Sequence, residues 1–143
     1  MRPKRTENQL KIEKMPKTGD LFITTLQKAH LEWGEYRHTN SRGIVIGEGY
    51  LQIPAEVAYE FEITNNLSAA NQAEYDFSTS DDFIVNEKLL AAGNQHKPEY
   101  AKQFQGSGNL KLLGNWFNHI DAHIGNQIEI KFISPTEILL TSL

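Results

Sequence analysis

The chain has 143 residues, 39% hydrophobic and 22% charged, which describes one globular domain and excludes both a disordered segment and a pair of domains. It contains no cysteine, so disulfides, thiolate nucleophiles and sulfur-ligated zinc or iron–sulfur sites are excluded as well. The formal net charge is -4, but it is unevenly spread: Arg2, Lys4, Arg5, Lys11, Lys14 and Lys17 against Glu7 and Glu13 give residues 1–18 a charge of +4 and leave -8 on the rest. This pattern predicts a basic N-terminal arm, residues 1–18, on an acidic domain, residues 19–143, and a basic arm of this kind suits contact with a polyanion. No apolar run reaches the roughly 18 residues of a membrane span, and residues 1–17 are too polar for a signal peptide. A soluble, cytoplasmic protein with no membrane partner is expected.

In chain order, residues 20–27 (DLFITTLQ) are rich in Ile, Thr and Phe after Gly19 and predict a strand. Residues 28–42 lose apolar periodicity and predict a polar loop carrying aromatics. Residues 43–47 (GIVIG) and 49–54 (GYLQIP) predict short strand pieces separated by a glycine-marked bulge or turn. Pro54 fits a first helical turn, and residues 55–61 place Val57, Ala58 and Phe61 on one face, which predicts a short helix.

After a polar connection, residues 74–78 (EYDFS) alternate as a strand, residues 79–82 form a turn, and residues 83–92 (FIVNEKLLAA) predict the return strand. Residues 93–105 are polar and mixed, and predict an exposed connection. Asn109 is placed to cap a helix reaching about Ile120, with Leu110, Leu113, Trp116 and Phe117 as its buried stripe. Residues 127–133 and 136–140, joined by Ser134-Pro135, predict a terminal β-hairpin.

Enzymatic signatures are weak. His119 and His123 have the spacing of metal ligands on one helical face, but no glutamate follows His119, and Gly125 predicts that the helix has ended by His123. Asp81 and Asp82 are adjacent carboxylates better suited to a turn. Glu129 and Lys131 share a strand face without the preceding aspartate that a magnesium-dependent nuclease needs. Gly106-Ser107-Gly108 lacks the lysine and length of a phosphate-cradling loop. No catalytic residue, metal or cofactor is expected, with a small metal-dependent hydrolase around Asp81, Asp82 and Glu129 as an alternative.

Binding is better supported, by two polar segments. The first gathers Trp33, Tyr36, Arg37, His38, Asn40 and Arg42, the residue types that reach base edges and phosphates in a major groove. The second combines Ser78, Ser80 and Asp81 with Asn94, Gln95, His96, Lys97, Lys102 and Gln103.

Three stretches, in this order, resemble the B-three type DNA-binding pseudobarrel of plant transcription factors, and more closely the effector domains of some bacterial restriction endonucleases. They are GYLQIPAEVAYEFEI at residues 49–63, EYDFSTSDDF at 74–83 followed by GNQHK at 93–97, and LLGNWFNHIDAHIGNQIEI at 112–130. The resemblance spans about residues 20–143 and implies a mainly β, seven-stranded open pseudobarrel with two short helices. It also implies sequence-specific recognition of double-stranded DNA by two loop arms gripping the major groove, without catalysis, and a nuclease module or subunit as a partner. Carried over by position, the first arm falls on Trp33 to Arg42 and the second on Ser78 to Asp82, with Asn94 to Lys97 nearby. The chain departs from the family in its acidic body and in Asp81 and Asp82, where phosphate contacts prefer a base, although aspartate is able to accept from the cytosine amino group. A protein-binding module using the same loops is the remaining alternative.

Overall fold

The computed structural model describes residues 15–27, 49–65 and 73–143. The expected strand at residues 43–47, the loop carrying Trp33, Tyr36, Arg37, His38, Asn40 and Arg42, and most of the basic arm lie outside the described residues.

Alternating burial shapes the strands. In β1 (Leu21–Thr25), Phe22 and Thr24 face inward and Leu21, Ile23 and Thr25 outward. The same alternation sends Leu51 of β2 (Tyr50–Gln52), Tyr75 and Phe77 of β3 (Glu74–Thr79), and Leu89 and Ala91 of β4 (Glu87–Ala92) into the core. They are joined there by Phe104 of β5 (Gln103–Gly106), Ile128, Ile130 and Phe132 of β6 (Gln127–Ser134), and Ile138 and Leu140 of β7 (Glu137–Ser142). An inward row from every strand requires a curved sheet, and the seven strands form one nearly closed barrel-like sheet in the order β1-β6-β7-β3-β4-β5-β2. All neighbours pair antiparallel except β3 with β7, which run parallel. At the centre, Tyr75, Phe104 and Phe132 meet edge-on or tilted with ring centroids 5.7 to 6.4 Å apart. Among the described residues the expected open pseudobarrel with two short helices is therefore present.

Helix α1 (Ala55–Phe61) follows β2 directly: the Pro54 carbonyl accepts from the Ala58 amide, and Glu62 ends the helix in the left-handed region with φ 57°. Helix α2 (Leu112–His119) buries Leu113, Trp116 and Phe117. It starts later than the sequence pattern implies. The Asn109 side chain accepts from the Lys111 amide in the turn before the helix, and Leu110 is only half-buried. Two glycines give room for α2 and the turn before it: a Cβ on Gly106 would lie 2.0 Å from the Asn109 carbonyl oxygen in that turn and 3.0 Å from Leu112 Cβ, and one on Gly49 would lie 2.9 Å from the Gly114 nitrogen.

Two further expectations change. Residues 83–86 belong to a loop and β4 begins at Glu87, because the Thr79 amide and hydroxyl bond to Ile84 and the backbone turns through positive φ at Asp82 and Asn86. The supposedly exposed stretch 93–105 includes buried Tyr100, Ala101 and Phe104, and its end is β5, a strand flanked on both sides by β4 and β2. Outward Gln103 and Gln105 give this strand its polar composition, while Phe104 and Gly106 face the core.

Candidate nucleic-acid interface

The strand directions sort the described loops to one of two ends. Strands β1, β3, β5 and β7 run toward what is here termed the upper end, and β2, β4 and β6 run away from it. Gln27 and Gly49, the described residues flanking segment 28–48, thus both lie at the upper end, as do the β3–β4 loop and α2. Connection β4–β5, helix α1 and the entry to β1 lie at the lower end. Strand β3 alone has six residues and so separates the ends by about 20 Å.

The residues expected to act together therefore divide. Ser78, Ser80 and Asp81 are at the upper end, the end that also holds Gln27 and Gly49, but on the central strand β3 rather than the edge strands β1 and β2 that bear those two residues. Asn94, Gln95, His96, Lys97, Lys102 and Gln103 are at the lower end, so Asn94 to Lys97 is not near Ser78 to Asp82. Antiparallel pairing is the reason: Phe77 stands opposite Glu87 at the upper side of the β3–β4 ladder, and Glu74 opposite Leu90 toward the lower. Lys17, near the end of the expected basic arm, is also at the lower end, since the following Gly19 amide donates to the Phe132 carbonyl.

The upper loop is organised by Asp81. One carboxylate oxygen accepts from the Thr79 hydroxyl at 2.6 Å and the Phe83 amide at 3.0 Å, and the other accepts from the indole N–H of fully buried Trp116 at 2.9 Å. Partial desolvation is the largest single influence on this carboxyl and pushes its pKa up. The hydrogen bonds from Thr79, Trp116 and Phe83, with the nearby His119, outweigh it and hold the group below the ordinary aspartate value. The Asn86 amide donates to Ser78 Oγ at 3.1 Å, closing the far side of the loop. Asp82 takes φ 63° at the turn, and Ser80 is exposed.

Above this frame the Phe83 ring stacks on His119, with centroids 4.0 Å apart and planes within 8°. Phe83 is 44% exposed and Val85 is 55% exposed, and neither was picked out from the sequence because both sat in an expected strand. Beside them lies an open groove of about 350 Å³, lined by Phe83, Ile84, Val85, Glu87, Leu112 and Asn115.

The lower loop is organised differently. Buried Asn65 donates through its side-chain amide to the carbonyls of Gly93 and Pro98, each at 2.7 Å, and meets the Asn94 side chain at 3.0 Å. Gln95 Nε2 donates to the carbonyls of Ile53 at 2.9 Å and Ala101 at 3.2 Å. The Gln103 amide donates to the Gln105 side chain at 2.8 Å. Lys97 places its ammonium 5.4 Å from the centre of the Tyr59 ring, which meets Tyr100 edge-on at 4.9 Å. His96 and Lys102 are exposed.

Among the described residues no three His, Cys, Asp or Glu side chains converge as metal ligands. Helix α2 ends at His119, so His123 falls outside it, with its Nε2 3.5 Å from Asp121. No helix among the described residues is long and apolar enough to cross a membrane. No protein-family model matches the chain, and no curated protein sequence matches it.

Proposed function

We propose that the chain is a sequence-specific double-stranded DNA-binding domain that grips the major groove with two arms at the upper end of the barrel, and that it performs no catalysis itself. The observation that carries the reading is topological: Gln27 and Gly49, from which segment 28–48 departs and returns, share one end of the barrel with the β3–β4 loop. The resemblance to the B-three and restriction-enzyme effector domains supports it independently, since there two arms act as a pair on one open barrel.

In this reading Arg37 and Arg42 contact phosphate or guanine, while His38 and Asn40, with Ser80 from the opposite arm, read base edges. Asp81 acts by fixing the shape of its arm, because both of its oxygens already accept hydrogen bonds. Lys97 and Lys102, at the other end, take no part in the grip. A separate nuclease module or subunit would supply any cleavage.

The test is duplex binding at two salt concentrations by the wild type and by Arg37→Ala and Lys97→Ala. The reading predicts affinity that falls steeply with salt, a loss of about 1–3 kcal/mol for Arg37→Ala, and little change for Lys97→Ala. Loss on Lys97→Ala with none on Arg37→Ala would transfer the site to the lower end.

A further inference from the structure

The upper groove contains features that loop recognition of a duplex does not require. Residues 112, 115 and 119 are spaced three and four apart and share one exposed side of α2. His119 stacks on Phe83 at one end of that row, and Leu112 and Asn115 line the groove at the other. One face of the Phe83 ring is thus covered by imidazole, while the ring also forms a wall of the groove and remains substantially exposed. The imidazole stack holds the ring, and the main chain beneath it is held from two directions. The Phe83 amide donates to Asp81, which is held by Trp116, and the Ile84 amide donates to the Thr79 hydroxyl. An aromatic ring held in this way offers a stacking surface at little entropic cost.

The remaining walls are suited to a planar, polar-edged ligand. Leu112, Ile84 and Val85 supply apolar contact, the Glu87 carboxylate supplies an acceptor, and the Asn115 amide supplies a donor and an acceptor. The groove volume of about 350 Å³ falls at the small end of the range for ligand sites. We propose that this groove receives a single unpaired nucleobase bearing an exocyclic amino group, cytosine or adenine, stacked on Phe83 with its amino group donating to Glu87 and its ring edge bonded to Asn115. The inference deepens the nucleic-acid reading and rests on it for the source of the base, an extrahelical nucleotide at the end of the barrel that faces the duplex.

The experiment uses the full chain and three probes: short oligodeoxycytidine, short oligothymidine, which lacks the amino group, and a random-sequence duplex. Each is titrated against the wild type, Phe83→Ala, Glu87→Gln and Asn115→Ala, with near-ultraviolet circular dichroism confirming the fold. Tighter binding of oligodeoxycytidine than oligothymidine is expected. Phe83→Ala should weaken oligodeoxycytidine about tenfold, and Glu87→Gln, whose amide keeps an acceptor for the cytosine amino group but gains a donor for the thymine carbonyl, should narrow the preference. Equal binding of the two oligonucleotides, or a folded Phe83→Ala that binds as the wild type does, overturns the proposal. If the duplex is retained in that case, the two-arm reading stands alone. If the duplex is not retained but the cytidine preference depends on Phe83, the groove stands and the two-arm reading falls.

Discussion

The upper and lower ends of the barrel are both covered by polar loops of similar composition, yet their polar side chains do different things. At the lower end Asn65 and Gln95 turn toward the chain and bond to main-chain carbonyls, closing loop 93–102 onto β2 and the turn after α1. At the upper end one carboxylate, Asp81, holds the loop from within, and the ring of Phe83 is left facing outward on a fixed support. A polar loop residue is therefore informative about recognition only after its main-chain obligations are known. By that measure the lower loop spends its amides on its own structure, and the upper loop presents a surface.

Substitutions that remove each organiser in turn should separate the two ends. The largest effect is expected from Asn65→Ala, which removes a buried side chain together with its bonds to the Gly93 and Pro98 carbonyls and should cost about 2–3 kcal/mol in urea unfolding. If the upper end is the grip, as proposed, DNA binding should survive in the folded fraction. Asp81→Ala should cost less, about 1–2 kcal/mol, because its loop is more exposed, but should reduce duplex affinity by releasing the upper arm. A stability loss at Asp81 with unaltered binding would show that the arm's shape is irrelevant to recognition.

The same carboxylate gives a pH signature. Its folded pKa lies below the unfolded value of about 3.9, so the unfolded chain binds the proton first as the pH falls. Its contribution is present above about pH 4 and is lost as the pH drops through the lowered folded value. Urea midpoints measured across this acid range should fall less steeply for Asp81→Asn than for the wild type. The smallest effect is expected in the core between the two ends. The Tyr75 hydroxyl is buried without a hydrogen-bond partner among the described residues, and burial pushes its pKa well above the ordinary phenol value. Tyr75→Phe should be neutral or stabilising by up to about 1 kcal/mol in thermal unfolding, and a clear loss would point to a partner for that hydroxyl.

Where each face of an element carried several residues of one character, the sequence was readable. The β6–β7 hairpin, β1, β3 and the Leu113, Trp116 and Phe117 stripe of α2 all follow from alternation or helical spacing. Strand β5 was not legible, because Gln-Phe-Gln-Gly presents one large apolar residue to a core that its neighbours complete. The start of β4 is obscured because Phe83, Ile84 and Val85 have strong strand character, and the competing bonds to Thr79 and Asp81 are side-chain bonds local to the loop that alternation does not reveal. At the candidate site, the polar segments were legible as composition, but their division between opposite ends follows only from strand direction. Phe83 became visible as a surface residue only once the loop around it was defined.

If the upper end recognises a DNA sequence, as proposed, the chain should select that sequence from a mixture. The most direct test is selection from a random-sequence duplex library by the full chain, with sequencing of the retained molecules and with Arg37→Ala run in parallel. Enrichment of a short motif by the wild type, without cleavage, and weakened enrichment by the variant are expected. Failure to retain any duplex at low salt, or enrichment of the same motif to the same degree by Arg37→Ala and an Arg42→Ala partner variant, would contradict the proposal.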